Sequence, residues 1–362
     1  MSGAMTRVMT GAISRRRGAQ LLQRMRGRRL AVLGDWMLDR YVWGTANRIS
    51  PEAAVPVVDF VKESDRLGGA GNVAANLAAL GARVEAFGVI GKDTAGEALR
   101  GEMRMLRLPE KGIVKLQGRP TTLKTRIVAR QQQVVRVDRE VRTHLPEAAE
   151  DRLAKLVLAA MGRVNALVVS DYDKGVVSDA LAERVLTAAT RRKVPSFIKP
   201  KWSKLPAYRG ATVVICNRAE AEFLVTHLLD TDESVRDAGA KLLEHFGSSA
   251  VVITRGPQGL SLFERDEADG FHIAAINQET PVGVVGKAPS GVANGGRQVF
   301  DVTGAGDTVL ATMALASAAG ASLREAAVLG NAAAGVVVAK LGTATLTGEE
   351  LGAMLSETVA RS

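Results

Sequence analysis

From Pro146 onward the chain alternates short apolar runs with amphipathic stretches so regularly that few folds can accept it. The pattern predicts a helix ending near residue 161, a strand at 166–170, a helix at 179–192, and strands at 196–198 and 212–215. Strands alternating with helices imply an α/β domain whose mainly parallel sheet is covered on both faces, with ligands gathering at the carboxyl ends of the strands. Further strands are expected at 250–254 and 260–263, and two helices, 323–340 and 348–359, close the chain. Upstream, 30–34 is an apolar run ending in glycine and reads as the first buried strand, and 70–80 has helical periodicity with Gly81 as its stop. With 362 residues, 46% of them hydrophobic, there is material for one large core.

Two segments break that rhythm. Residues 41–61 carry Pro51 and the alternation Val55-Pro56-Val57-Val58-Asp59-Phe60-Val61, which suits extended, partly exposed strands. Together with the β-prone stretch 121–137 they predict a small accessory sheet. Residues 277–297, rich in Gly, Pro, Ser and Asn, read as a long surface excursion, and 298–301 as the end of the strand that follows it.

The net charge of +10 suggests nucleic acid until it is located. Eight arginines and no acid fall within the first 30 residues, which leaves only +2 for the remainder. No aromatic interleaves with a basic stretch, so the stacking platform of a single-strand binder is missing and no nucleic-acid partner is expected. Residues 1–29 read as a disordered basic tail ahead of a domain spanning 30–362. No apolar run has the length of a secretory signal or a bilayer span, so no membrane partner is expected. The single cysteine, Cys216, excludes an internal disulfide framework and fits a cytoplasmic setting. His144, His227, His245 and His272 lack metal-ligand spacing.

The chemistry is concentrated in Val302-Thr303-Gly304-Ala305-Gly306-Asp307, followed by an Ala-rich stretch that reads as a buried helix. Two glycines let the backbone turn and bring its N–H groups close to a ligand. A helix opening supplies unpaired donors and partial positive charge, so Gly304, Ala305 and Gly306 form a candidate anion hole. Asp307 then stands where it can take a proton from an attacking hydroxyl, a pattern suited to phosphoryl transfer. Gly34-Asp35-x-x-x-Asp39 leaves the first strand with two carboxylates, and Gly68-Gly69-Ala70-Gly71-Asn72 places an amide at a helix start. Together these groups match the hydroxyls of a polyol. Taken singly, Asp39 also fits a turn and Asn72 a helix cap. Asn217-x-x-Glu220 puts an amide and a carboxylate on one helical face, able to hold the water shell of a magnesium ion.

These motifs resemble those of the ribokinase (PfkB) family of carbohydrate kinases, whose two signatures match 68–81 and 301–308. Within the family, the stretches 34–41, 48–53, 130–133, 170–175 and 331–338 are most similar to the branch acting on D-glycero-β-D-manno-heptose 7-phosphate at its anomeric hydroxyl. The resemblance implies a ribokinase-like three-layer sandwich, a β lid built from 41–61 and 121–137, and a homodimer formed through that lid. It implies ATP and Mg2+ as cofactors and a sugar phosphate as substrate. Asp307 would be the general base and Gly304–Gly306 the anion hole. Asp39, Gly68, Gly69 and Asn72 would hold the sugar. Thr254, Gly256, Gly259, Thr303 and Asn331 would line the nucleotide site, with Asn217 and Glu220 at the magnesium and phosphates. A substrate that already carries a phosphate needs a cationic anchor, for which Lys124, Arg126, Arg130 and Lys174 are the candidates.

Three departures stand out. Where the heptose branch usually reads Asp-Pro-Lys after a strand, this chain has Lys199-Pro200-Lys201, which reverses a charge near the expected cleft. Cys216 replaces a proline, and the nucleotidyltransferase domain of bifunctional relatives is not seen, so a kinase alone is expected. Another sugar such as ribose or fructose, or a sugar-binding relative without turnover, stays open.

Overall fold

The computed structural model describes residues 13–130, 132–201, 206–267, 269–276, 302–340 and 342–361. The expected excursion at 277–297 and the strand end at 298–301 lie outside them. In chain order the strands are β1 (Arg29–Gly34), β2 (Trp36–Ile49), β3 (Pro56–Gly69), β4 (Arg83–Gly91), β5 (Ile113–Leu116), β6 (Thr122–Ala129), β7 (Gln132–Arg139), β8 (Ala166–Ser170), β9 (Ser196–Lys199), β10 (Val213–Asn217), β11 (Ala250–Thr254), β12 (Leu260–Glu264) and β13 (Phe271–Ile273). The helices are α1 (Arg15–Met25), α2 (Ala70–Ala79), α3 (Thr94–Met105), α4 (Glu147–Ala160), α5 (Asp179–Arg191), α6 (Arg218–Val225), α7 (Asp232–Phe246), α8 (Ala305–Ala318), α9 (Leu323–Val337) and α10 (Gly348–Arg361).

Nine strands form one sheet in the order β13-β12-β11-β10-β9-β8-β1-β4-β5. All pair in parallel except β12 and β13, which run antiparallel at one edge. Successive residues of β1 point to opposite faces, so Leu30 and Val32 enter one apolar core while Ala31 and Leu33 enter another. The first core is completed by α1, α2, α3, α8, α9 and α10, the second mainly by α4, α5 and α7, giving three layers. The expected ribokinase-like sandwich is present. Because both faces are covered, the strands lack alternation and read as continuous apolar runs. In-register pairs bring the carboxyl ends into line: Gly34 beside Ser170, Ser170 beside Lys199, and Asn217 beside Thr254.

The accessory sheet has four strands, β3-β2-β6-β7. It is longer than the sequence suggested, because β2 starts at Trp36 and β3 continues to Gly69. Its outer part is exposed on both faces, so no core demanded alternation in Lys62–Arg66, and the strand there had no periodic signal. Its inner end is anchored. Trp36, Met37 and Leu38 are buried, and the Trp36 indole donates to the Phe87 carbonyl at 2.9 Å.

The expectation of a disordered tail across 1–29 is corrected from Ile13 onward. Ser14 caps α1 by accepting from the Arg17 N–H, and Leu21 and Met25, one helical turn apart, are fully buried. The helix packs on α8 and α10, and Arg17 makes a two-pronged pair with Glu325 at 2.6 and 2.9 Å. The density of arginines concealed a narrow apolar stripe that suffices for docking.

Candidate active site

α8 is capped at its start by Gly304, whose φ of 85° lies in the left-handed region. A Cβ there would also stand 2.7 Å from the Asn72 Nδ2, so only glycine fits the turn. Asp307 sits in the first turn and is 2% exposed. Its burial is against polar donors. Oδ1 accepts from the Tyr172 hydroxyl at 2.7 Å and from the Lys199 ammonium at 2.8 Å, and Oδ2 accepts from the Asn72 amide at 3.1 Å. Asn72 is itself fixed, because the Asn76 amide donates to its backbone and side-chain oxygens at 3.0 and 3.2 Å. A carboxylate has about four lone-pair sites, so among the described residues Oδ2 keeps one for a further donor.

Four elements meet here: α2 gives Asn72, the end of β8 gives Tyr172, the end of β9 gives Lys199, and α8 gives Asp307. Burial works against the Lys199 charge, but attraction to Asp307, then to Tyr172, outweighs it and holds the pKa above that of ordinary lysine. Burial, reinforced by Asp307, pushes the Tyr172 phenol above its ordinary value. At neutral pH the pair is therefore an ammonium and a neutral phenol.

On the lid side, Asp39 and Arg126 form a buried pair at 2.6 Å, and the guanidinium lies 5.3 Å from the Tyr41 ring centroid. Burial raises the Asp39 pKa, with Arg126 and then Lys124 opposing it and the Asp307 charge adding to it. A Cβ on Gly68 would fall 2.5 Å from the Asp39 Oδ2, so Gly68 leaves room for this carboxylate, while Gly69 precedes α2. Asp35, 1% exposed, accepts from the backbone N–H groups of Tyr172 and Lys174 at 2.7 and 3.2 Å and so shapes the loop after β8.

Of the four candidate phosphate anchors, three are brought together at the lid root. Lys174 pairs with Glu140 at 2.8 Å, Lys124 with Glu140 at 3.3 Å and with Asp138 at 2.9 Å, and Arg126 stands on the same strand as Lys124. Arg130 is not brought to them. It occupies the outer turn after β6 and donates to the Asn47 side chain at 2.9 Å.

The nucleotide candidates extend along the strand ends. Asn217 and Glu220 form a reciprocal cap on α6: the Glu220 N–H donates to the Asn217 side chain at 2.8 Å and the Asn217 N–H to the Glu220 carboxylate at 2.9 Å. Lys201 pairs with the other Glu220 oxygen. Both oxygens thus already accept from N–H donors, and no cluster of three His, Cys, Asp or Glu side chains exists among the described residues. The donor set does not suit direct metal coordination; it fits contact with a hydrated magnesium through water. Thr254 ends β11 beside Asn217, and Gly256 and Gly259 bracket a tight turn before β12. Thr303 directly precedes Gly304, and Asn331 on α9 donates to the Ala274 carbonyl at 2.9 Å.

Sequence reasoning did not assign roles to Tyr172 or Lys199. Tyr172 lay unassigned inside the run 170–175, and Lys199 stood out only as a reversed charge. Their position at the end of β9 and just past the end of the adjacent parallel strand β8 is the signal that finds them.

A glycine-opened helix bearing a carboxylate, set at the strand ends of a covered parallel sheet under a β lid, is the arrangement of a sugar kinase. The sequence pattern of the pfkB family carbohydrate kinases matches residues 28–286 and 290–349, and the chain belongs to that family. It is 44% identical over 320 residues to the bifunctional protein HldE of Geobacter sulfurreducens, covering 88% of this chain and 61% of the relative. The bifunctional protein HldE of Pelobacter propionicus is 40% identical over 331 residues, covering 91% and 64%. The chain thus spans under two thirds of the length of these relatives. Phosphofructokinase-2 from Escherichia coli in complex with potassium superposes with a TM-score of 0.71 at 19% identity, covering 92% of this chain and 99% of the other. Ribokinase from Arabidopsis thaliana complexed with ribose and ATP gives 0.67 at 19% identity, covering 91% and 99%. At that identity these two structures speak for the fold alone.

Proposed function

We propose that this chain transfers the γ-phosphoryl group of ATP to the anomeric hydroxyl of D-glycero-β-D-manno-heptose 7-phosphate, making the 1,7-bisphosphate used in lipopolysaccharide core synthesis. The observation that carries it is Asp307, held by three polar donors at the glycine-opened start of α8 with one site on Oδ2 unclaimed among the described residues. The acceptor hydroxyl donates to that site and gives up its proton there, while the N–H groups from Gly304 to Gly306 steady the charge on the crossing phosphoryl group. Asp39, Gly68 and Gly69 border the sugar, and Lys124, Lys174 and Arg126 face its distal phosphate. Asn217 and Glu220 would hold the waters of a magnesium ion, which would supply neutralisation of phosphate charge there. Such substrates place the protein in the cytoplasm, and no described helix is long and apolar enough to cross a membrane.

A second sugar is kept in view by one feature: the Lys199 side chain reaches into the cleft, where its charge can change which hydroxyl is presented. Release of ADP with a panel of phosphorylated and free sugars separates the two. Heptose 7-phosphate should give the highest kcat/KM, and a free pentose or hexose that surpasses it would replace it as substrate. Asp307→Asn should lower kcat by at least about 100-fold, the scale of a lost general base. Near-normal turnover would remove Asp307 from that role.

The lid leaves Ile49, Val55, Phe60, Val61 and Val137 more than half exposed. Apolar groups so gathered on one small sheet suit a second copy of the chain, and we read this surface as the dimer contact. Sedimentation at micromolar concentration should show a dimer that Phe60→Asp weakens; a monomeric wild-type protein would overturn it.

A further inference from the structure

Lys199 ends β9 with its side chain 13% exposed and its Nζ 2.8 Å from the Asp307 Oδ1 and 3.2 Å from the Tyr172 hydroxyl. A Cβ placed on Gly306 would lie 3.2 Å from the same nitrogen, so the ammonium rests against the opening turn of α8, where the backbone N–H groups favour an anion. An ammonium carries three donors, and among the described residues Asp307 and Tyr172 take two. Two residues further, Lys201 pairs with Glu220, and the two ammonium groups lie 5.1 and 5.6 Å from the Tyr172 ring centroid. Two ammonium groups, each paired with a carboxylate, thus line the way from the base toward the proposed phosphate region. The attraction of Asp307 keeps Lys199 protonated, so this charge is permanent at neutral pH.

We propose that Lys199 is a catalytic residue of the phosphoryl transfer, its third N–H donated to a nonbridging oxygen of the nucleotide γ-phosphoryl group. The role rests on the kinase activity proposed above. In the step, the acceptor O–H bond breaks and its proton passes to Asp307 Oδ2, while the acceptor oxygen forms a bond to the γ-phosphorus. The bond from that phosphorus to the β,γ-bridging oxygen breaks, and its electron pair leaves on ADP. Lys199 neither gains nor loses a proton. It spans the base and the migrating group, so its charge matters most when negative charge spreads over the equatorial oxygens. Lysine acts here as a compact point charge with rotatable donors, able to follow the group without releasing Asp307.

The test compares the full chain with Lys199→Met and Lys199→Arg by two measurements. In calorimetric titrations without sugar, Lys199→Met should weaken a nonhydrolysable ATP analogue about tenfold and ADP by less than about twofold, the size of one hydrogen bond to a charged group. Lys199→Arg should restore most of that preference. In ADP-release assays Lys199→Met should lower kcat about 100-fold, the loss seen when one transition-state donor is removed, with little change in KM for the sugar. Equal weakening of ADP and the analogue, or turnover like the wild type, overturns the role of Lys199. Should Lys199→Met fail to fold, Lys199→Arg decides: a folded Arg variant without preference for the analogue also overturns it. A wild-type protein that releases no ADP with any sugar of the panel removes the kinase reading and this role together, whereas an active wild type beside an unimpaired Lys199→Met removes only the latter.

Discussion

The two charged clusters of the cleft are built on opposite plans. Around Asp307 one carboxylate is surrounded by donors from three other elements, and among the described residues one of its lone pairs stays unclaimed. At the lid root three cations meet three acids, and each cation has a carboxylate: Arg126 has Asp39, Lys174 has Glu140, and Lys124 has Asp138 and Glu140. The first plan presents an oriented base to a reactant. The second stores positive charge that an incoming phosphate can claim only by competing with resident acids. Binding at the lid is therefore an exchange of partners, and its strength depends on how easily each acid lets go.

The sharpest way to break that contrast is Arg126→Met. Arg126 and Asp39 are both buried, with side chains 9% and 4% exposed. Removing the guanidinium leaves a carboxylate without its counter-charge in a site where burial already raises its pKa. Stability should fall by about 3–5 kcal/mol, the scale of breaking a buried pair from one side. Adding Asp39→Asn should recover much of that loss, because the stranded charge disappears. Urea unfolding of the two single variants and the double variant measures the coupling. A loss below about 1 kcal/mol would class Arg126 with exposed ion pairs and free it to serve as a simple phosphate anchor. Asp307→Asn keeps an oxygen that accepts from Lys199 and Tyr172 but removes the counter-charge of a buried ammonium, so it should cost stability as well as activity.

The same contrast explains what could be read from the sequence. Gly304, Gly306 and Asp307 are contiguous and need a glycine-opened helix, so local chemistry declared them. The strands 166–170 and 250–254 coincide with β8 and β11, because a strand buried on both faces needs an unbroken apolar run. Tyr172 and Lys199 reach Asp307 from 135 and 108 positions away, and only the parallel register of β8 and β9 brings them there. Asn72 was expected to hold sugar, and one of its two amide N–H groups is donated to Asp307, a contact across 235 positions that no local pattern encodes. α1 was missed for the opposite reason. Its two buried anchors, Leu21 and Met25, are outweighed in composition by arginines that face water.

The smallest expected effect lies at Glu140, where the exchange of partners can be tuned without touching the base. Burial would raise its pKa, but hydrogen bonds from Lys174 and Arg142 and the charge of Lys124 outweigh this and hold the carboxyl below its usual range. A depressed carboxylate stabilises the fold above its unfolded pKa, and that contribution fades as pH falls through the folded value. Glu140→Gln should therefore flatten the acid side of the stability curve, below about pH 5, by no more than about 1 kcal/mol for so peripheral a group. At neutral pH the same change frees Lys124 and Lys174 for a phosphate, so KM for the sugar phosphate should drop by about threefold to tenfold while KM for ATP stays put, the 0.7–1.4 kcal/mol expected of an improved charge contact. If both constants rise together, Glu140 orders the lid rather than competing with substrate, and the two clusters are less different than their geometry suggests.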